Sequence, residues 1–183
     1  DHCESEAAWV SGGAAVTGRA VLGPLAGAGC RVVIAGRREN VLKEACLAMK
    51  SDLPMIGRTV DVTDWASVEA LFAGVYQDVG PLDILVNSAG TNTAKRKLEA
   101  LSLDDWDAMM KINCYGSFYC LRAALPKMIE RRDGLIVNIN STSGLRAGLL
   151  GGIGYNASKF GVTALGITAA QEVAQYGIRV TNV

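Results

Sequence analysis

Tyr155 and Lys159 are the two side chains in this sequence best suited to acid–base chemistry, and Ser141 precedes Tyr155 by fourteen residues. Residues four apart share one face of a helix, so the lysine ammonium would lie near the phenol and stabilise its phenolate form. The spacing therefore predicts a proton-transfer pair that works without histidine. This matters because the sequence has a single histidine, His2, and histidine is the side chain that ordinarily titrates near neutral pH.

The composition favours one domain that binds a small molecule. The 183 residues are 50% hydrophobic, which is enough for a sizeable core. Eighteen basic residues balance eighteen acidic ones, so no net field would attract nucleic acid or an anionic membrane. The five cysteines lack the close spacing of a metal site or a disulfide framework. With the acidic start D-H-C-E-S-E, they favour a cytoplasmic location, and an organelle is the alternative.

Short β-branched runs alternate with longer helical patterns along the chain. This alternation is typical of βαβ units and of a parallel sheet covered by helices on both faces. The predicted strands are Gly13–Thr17, Arg31–Ala35, Gly57–Val62, Asp83–Asn87, Leu135–Asn140 and Ile178–Val183. The predicted helices are Arg19–Ala28, Glu39–Lys50, Asp64–Val79, Asp104–Arg131 and Gly154–Tyr176. We therefore predict a doubly wound α/β domain over residues 13–183, after an N-terminal tail at 1–12.

The helix predicted at Asp104–Arg131 has apolar residues on more than one face. We expect it to meet a second copy of the chain, together with the helix at Gly154–Tyr176, in a homodimer or homotetramer. A fully buried helix is the alternative. Asp64 and Asp104 have the residue type that caps the first turn of a helix.

Several motifs resemble those of the classical short-chain dehydrogenases/reductases, and they occur in the order of that family. The motifs are V-N-S-A-G at Val86–Gly90, K-I-N-C-Y-G with Asn113, I-V-N-I-N-S-T-S-G with Ser141, and Y-N-A-S-K with Tyr155 and Lys159. The likeness runs from about Gly13 to the last residue and is similar to the 3-oxoacyl-[acyl-carrier-protein] reductase type. It implies a Rossmann-type fold.

The resemblance also implies a reaction, in which a ketone and a secondary alcohol interconvert by hydride transfer with a nicotinamide cofactor. Tyr155 would be the general acid/base, and Lys159 would assist it and hold the nicotinamide ribose. Ser141 would hydrogen-bond the carbonyl oxygen. Asn113 would hold a water that relays protons from Lys159. Ser143 is the alternative to Ser141, because the interval to Tyr155 is one residue longer than is common in the family.

The end of the second strand favours NADP(H) over NAD(H). NAD-dependent members of the family have a carboxylate where this sequence has Gly36, and Arg37 and Arg38 follow, whose guanidinium groups suit a 2′-phosphate. Two solvated arginines are the alternative. The resemblance places Asp61 at the adenine edge and Val62 against the ring. Thr17, Gly18, Asn87, Ala89 and Gly90 would approach the cofactor through their backbone.

Two departures from the family keep a second hypothesis open. The glycine-rich T-G-x-x-x-G-x-G loop, which we expect to open at Thr17-Gly18, lacks several residues, and the family pattern continues beyond the sixth strand. The alternative is therefore a non-catalytic remnant that serves only as a dimerising module. Sugar-nucleotide epimerases and dehydratases share the Tyr–Lys pair and are a third class. The basic run Lys95–Lys97 would suit a phosphorylated carrier, and a solvated loop is its alternative.

Overall fold

Residues 6–13, 16–49 and 53–183 are described by the computed structural model, with the backbone alone at Val16, Thr17 and Arg19. Within them, six parallel strands form one sheet in the order β3-β2-β1-β4-β5-β6. The strands are β1 (Ala7–Ser11), β2 (Arg31–Gly36), β3 (Ile56–Thr59), β4 (Ile84–Asn87), β5 (Gly134–Asn138) and β6 (Ile178–Asn182). The sheet is therefore that of a Rossmann-type α/β domain, as the sequence predicted.

Helices cover both faces of the sheet. They are α1 (Val16–Gly27), α2 (Glu39–Ala48), α3 (Trp65–Asp78), α4 (Leu103–Met109), α5 (Gly116–Arg131) and α6 (Ile153–Val173). A π-helical turn, Met110–Tyr115, joins α4 to α5, so the predicted helix at Asp104–Arg131 is one helical course with an irregular middle. No helix among the described residues combines the length and the apolar character that crossing a bilayer requires.

The alternation of side chains along the strands produces two apolar layers. Trp9 belongs to the layer under α3, α5 and α6, where its ring packs edge-on against that of Phe72 with centroids 4.6 Å apart. Val10 and Ile34 belong to the other layer, where Leu22 of α1 and Leu42 of α2 cover them. Neighbouring residues of a strand point to opposite faces, so a parallel sheet buried on both sides reads as a continuous apolar run.

The first strand lies six residues before the position predicted for it. Residues 7–11, which the sequence analysis assigned to the tail, are fully buried and pair with both β2 and β4. The predicted strand Gly13–Thr17 is wrong: Gly12 and Gly13 form a turn and Val16 begins α1, while residues 14 and 15 lie outside the described part. The small residues of this segment suit a tight turn at least as well as a strand.

The other five predicted strands overlap observed strands, and the five predicted helices overlap observed helices. Asp64 caps α3 as expected, because its carboxylate accepts a hydrogen bond from the Ala66 N–H. The cap predicted at Asp104 is wrong. Ser102 caps α4 instead, through a hydrogen bond from the Asp105 N–H, and Asp104 and Asp105 fall in the first turn, where carboxylates are favourable.

The chain order of the strands determines where a site can form. β1 lies between β2 and β4, so the connections from β1 and from β4 leave the sheet in opposite directions. In parallel α/β sheets, ligands bind in the crevice at this point, beyond the carboxyl ends of the strands. The segments that follow β1, β2, β3, β4 and β5 all emerge at that edge.

Candidate active site

Two clefts open side by side at the carboxyl edge of the sheet. The first, about 200 Å³ in volume, is lined by the segments that follow β1 to β4, and it includes Gly36, Asp61 and Ala89. The second, about 520 Å³, is lined by the segments after β4 and β5 and by the start of α6. Ser88, Gly90 and Thr91 line both, so the two clefts adjoin.

A close contact between β1 and β4 forms the floor between the clefts. The Ser11 hydroxyl accepts hydrogen bonds from the N–H groups of Ser88 (3.0 Å) and Ala89 (3.2 Å), and donates to the Val86 carbonyl (3.4 Å). Gly12 has φ +64°, and a Cβ added there would lie 2.9 Å from the Ala89 Cα. A side chain at position 12 would therefore push the two segments apart.

The glycine-rich loop is present, and the prediction that several of its residues are missing is wrong. Because β1 ends at Ser11, Ser11-Gly12 stands at the T-G position of the motif. Val16 replaces the middle glycine of the motif, and Gly18 is its last glycine. A Cβ on Gly18 would overlap the Gly12 carbonyl oxygen, so the helix packs directly on the turn. Thr17 was expected to open the motif, and its side chain lies outside the described part.

The first cleft has a carboxylate at one end and two guanidinium groups beside it. Burial acts to raise the pKa of Asp61, but hydrogen bonds from the Thr63 N–H and hydroxyl, together with the charge of Arg37, outweigh burial and lower it. Arg37 and Arg38 directly follow β2 and line the same cleft. Val62 lies there as well, packed on Gly116, where a Cβ would come within 2.8 Å of the valine methyl carbon.

Only part of the turn predicted after β4 lines the clefts. Ala89 and Gly90 line the first cleft, as expected, but Asn87 lines neither cleft. Its amide donates to Asn138 (2.9 Å), whose amide donates in turn to Asn182 (3.0 Å). Asn87 thus belongs to a row of asparagines that links β4, β5 and β6.

Tyr155 and Lys159 lie on α6 and both line the second cleft. The Lys159 Nζ is 5.8 Å from the centre of the Tyr155 ring and donates a hydrogen bond of 2.8 Å to the Ile139 carbonyl. Only 5% of Lys159 is exposed, and burial lowers its pKa from 10.5 to about 8. The structure therefore brings the pair together in one cavity.

Asn113 connects two of the segments that line the second cleft. Its carboxamide oxygen accepts from the Thr91 N–H (2.7 Å), and its amide donates to the Thr91 carbonyl (2.9 Å) and to the Ser158 hydroxyl (2.9 Å). The π-helical turn carries this buried side chain, which joins the segment after β4 to α6. The three hydrogen bonds of the Asn113 side chain are all to protein groups. Its role in holding a water that relays protons stays a prediction.

Ser141 reaches the same cleft from the segment after β5. Its hydroxyl oxygen accepts the Ser143 N–H at 3.1 Å, and it makes no hydrogen bond as a donor to any described residue. The proton of the Ser141 hydroxyl is therefore available for a ligand. Ser143 lines the same cleft.

Sequence analysis missed Ser11 and Ser158. The S-G-x-x-x-x-x-G spacing from Ser11 to Gly18 was the signal for the first, and it was obscured because Thr17-Gly18 matched the motif's opening dipeptide. Ser158 lies within Y-N-A-S-K itself, and only the fold shows that it bonds to Asn113.

Comparison with known proteins identifies the family. The model of the short chain dehydrogenase family matches residues 6–183. An uncharacterized oxidoreductase of Staphylococcus aureus (strain MW2) is 34% identical over 174 residues, which are 95% of this chain and 74% of that protein. The chain therefore belongs to the short-chain dehydrogenases and is an oxidoreductase of that type.

Solved structures agree with this assignment. A short chain dehydrogenase from Bacillus anthracis superposes with a TM-score of 0.92 at 32% identity, covering 98% of this chain and 75% of the other. An NAD⁺-bound xylitol dehydrogenase gives a TM-score of 0.93 at 28% identity, covering 100% and 70%. The family uses nicotinamide cofactors, and the matched region begins before β1, so the non-catalytic alternative is not favoured.

The depressed pKa of Lys159 predicts a dependence of stability on pH. Between pH 8 and 10.5 the unfolded chain holds a proton that the folded chain has released, so this lysine contributes stability that increases as pH rises. We expect the free energy of unfolding of the wild type to rise relative to that of Lys159→Met between about pH 7 and about pH 9.5, in denaturant titrations of cofactor-free protein.

Lys127→Met is the matched control, since Lys127 is an exposed lysine on α5. Its stability should follow the wild type in parallel across this range. Parallel curves for Lys159→Met and the wild type would show instead that Lys159 titrates at its ordinary pKa.

Proposed function

We propose that the protein is an NADP(H)-dependent oxidoreductase that interconverts a ketone and a secondary alcohol, with Tyr155 as the general acid/base. One observation carries the proposal: Tyr155, Lys159 and Ser141 line a single cleft that adjoins the groove above the glycine-rich turn. A carbonyl in the second cleft would be next to a dinucleotide lying across both.

The residues present fit a dinucleotide. The glycines at positions 12 and 18 let the turn after β1, the start of α1 and the Ala89 backbone pack closely at the first cleft, and a helix N-terminus favours phosphate. The Ser88 hydroxyl oxygen is buried between the two clefts without a hydrogen-bond partner among the described residues. When bound, the nicotinamide ring supplies hydride to the carbonyl carbon or accepts it from the alcohol.

The side chains of this protein would transfer the proton that accompanies the hydride. In reduction, the carbonyl carbon receives the hydride and its oxygen receives the Tyr155 proton, which leaves a phenolate. The ammonium group of Lys159, fixed by the Ile139 carbonyl, stabilises that phenolate through its charge. The Ser141 hydroxyl donates to the same substrate oxygen, because its proton has no acceptor among the described residues. Asn113 keeps α6 aligned with the cleft.

These roles predict how substitutions act on turnover. Tyr155→Phe removes the transferable proton and should lower kcat by about 10²- to 10⁴-fold. Ser141→Ala removes a donor to the developing oxyanion and should lower kcat by about 10²-fold or more. NADPH oxidation with a panel of ketones measures both, and NADPH fluorescence should show that the cofactor still binds.

Ser143→Ala is the matched control for the serine assignment, because both serines line the cleft. It should keep turnover within a few-fold of the wild type. A larger loss in Ser143→Ala than in Ser141→Ala would transfer the role to Ser143. Undiminished turnover in Tyr155→Phe would remove the proposed mechanism.

The preference for NADP(H) is inferred from charge at the end of β2. Gly36 offers no carboxylate to ribose hydroxyls, and Arg37 and Arg38 put two positive charges beside the same cleft. A guanidinium group binds phosphate through two parallel hydrogen bonds, so a 2′-phosphate would be favoured there. The xylitol dehydrogenase of similar fold binds NAD⁺, so NADH is the competing cofactor against which the preference is tested.

Gly36→Asp should shift the preference toward NADH. A Cβ at Gly36 would lie 3.7 Å from the nearest atom, a methyl carbon of Leu42, so the side chain fits without displacing the backbone. The new carboxylate would repel the 2′-phosphate and accept from ribose hydroxyls. We expect the NADPH dissociation constant to rise about 10-fold or more, by fluorescence titration, with tighter NADH binding.

Gly36→Asn is the isosteric control for this change, because it adds the same bulk without the charge. It should raise the NADPH dissociation constant much less than Gly36→Asp does. If wild-type protein binds NADH more tightly than NADPH, the assignment of Arg37 and Arg38 fails.

We also infer that two copies of the chain pair through α5 and α6. A groove between these helices is lined mainly by apolar side chains, among them Leu125, Ile129 and Leu165. Phe118 on the rim of this groove is 43% exposed, and Ile167 on α6 is 53% exposed. A second copy of the same helices would cover this surface, as a two-fold interface is self-complementary.

Phe118→Glu should shift the protein toward monomer in sedimentation velocity experiments, because it puts a charge on this apolar surface. Leu47→Glu is the control, since Leu47 is 87% exposed on α2, away from this groove. A wild-type protein that sediments as a monomer at micromolar concentration would overturn the inference.

A further inference from the structure

The charged side chains that line the second cleft are all positive. Three of the side chains that line it are basic, Arg96, Arg146 and Lys159, and none of its described lining residues is Asp or Glu. The whole chain has equal numbers of acidic and basic residues, so this imbalance belongs to the cleft. Of the three basic side chains, Lys159 is buried and bonded to the Ile139 carbonyl. The two arginines are therefore the charges that a ligand would meet.

Arg96 is held on the wall of the cleft by hydrogen bonds within the protein. Its Nε donates to the Thr93 carbonyl at 3.0 Å, and its Nη1 donates to the Leu150 carbonyl. These bonds link the segment after β4 to the segment before α6 and fix the guanidinium group between them. A guanidinium has five N–H donors, so most of the donors of Arg96 are still unused.

Arg146 follows the short helical turn that begins after Ser141. Its backbone N–H bonds to the Thr142 carbonyl, but its guanidinium group forms no hydrogen bond or ion pair with any residue that the structure describes. All five of its donors are available at the edge of the cleft that contains Ser141 and Tyr155.

The neighbouring basic residues do not share this position. Lys97 lines an adjoining apolar groove and not the second cleft, and Lys95 lines neither. Arg37 and Arg38 line the first cleft, where the adenosine end of a dinucleotide would lie. Arg96 and Arg146 are thus separated from the residues proposed to hold the cofactor phosphates.

We propose that the substrate carries an anionic group, a carboxylate or a phosphate ester, which Arg96 and Arg146 bind while its carbonyl group meets Tyr155 and Ser141. This rests on the proposed function and adds a substrate class to it, that of oxo acids and their hydroxy acid counterparts, or the corresponding phosphate esters. Guanidinium groups bind both kinds of anion through paired hydrogen bonds. None of the described side chains that line this cleft carries a negative charge that would repel such a substrate.

Matched pairs of substrates test the proposal. Oxo acids of increasing length, from pyruvate and acetoacetate to levulinate, are compared with their methyl esters, and dihydroxyacetone phosphate is compared with dihydroxyacetone. We expect kcat/KM of at least one anion to exceed that of its neutral counterpart by about 10-fold or more. The pair that shows this difference distinguishes a carboxylate from a phosphate.

Arg146→Gln should lower kcat/KM of that anion by about 10- to 100-fold and leave the neutral counterpart within about twofold. Arg96→Gln also breaks the bonds to the Thr93 and Leu150 carbonyls, so it should lower kcat/KM of both substrates, and that of the anion by the larger factor. Most of the loss should appear in KM, since the arginines hold the substrate and do not take part in proton transfer. Arg179→Gln, an exposed site on β6, is the control and should change neither substrate. NADPH dissociation constants should stay as in the wild type for all three variants.

Two outcomes overturn the inference: the wild type reduces the neutral substrates as well as the anions, or the arginine substitutions lower kcat/KM of the anion and of its neutral counterpart by the same factor. In either case the oxidoreductase assignment stands. If no carbonyl compound is reduced, the proposed function fails, and calorimetric titration of the same acids and of dihydroxyacetone phosphate into protein with NADP⁺ decides the inference separately. Heat of binding that is lost in Arg146→Gln supports the anion site, and the absence of binding in the wild type overturns it.

Discussion

The buried ammonium group of Lys159 is the constraint on which the site depends. A lysine that is 95% removed from water is costly unless its charge has partners, and the main one observed is the Ile139 carbonyl at the end of β5. That bond requires α6 to lie directly over the carboxyl end of β5. Tyr155, one turn earlier on the same helix, is thereby placed in the same cleft.

A second set of contacts keeps α6 in register with the rest of the sheet edge. Asn113 connects Thr91 after β4 to Ser158 on α6, and Ser11 connects the end of β1 to the N–H groups after β4. Each is a polar side chain that satisfies backbone or hydroxyl groups that would otherwise be buried without partners. The segments that line the two clefts are joined through these hydrogen bonds, with Gly12 small enough to permit the contact.

How well the sequence predicted the structure varied with the kind of signal. Long periodic segments such as α3 and α6 were placed to within three residues at each end, because their apolar faces and end signals are strong. β1 was missed, because A-A-W-V-S is a short buried run with no alternation, and the small residues after Gly13 resemble a strand equally well. The missed strand displaced the glycine-rich motif by six residues and made it look incomplete.

The sequence by itself determined that Tyr155 and Lys159 share a helix face and that the chain forms a parallel α/β sheet, because both follow from local periodicity. Only the tertiary structure decided which side chains meet across the sheet edge. It placed Ser141 in the same cleft as Tyr155, directed Asn87 into a row of asparagines away from the clefts, and brought Arg96 and Arg146 to the lining of one cleft. These are contacts between segments far apart in the chain, and their partners depend on strand order and packing, which local sequence spacing does not encode.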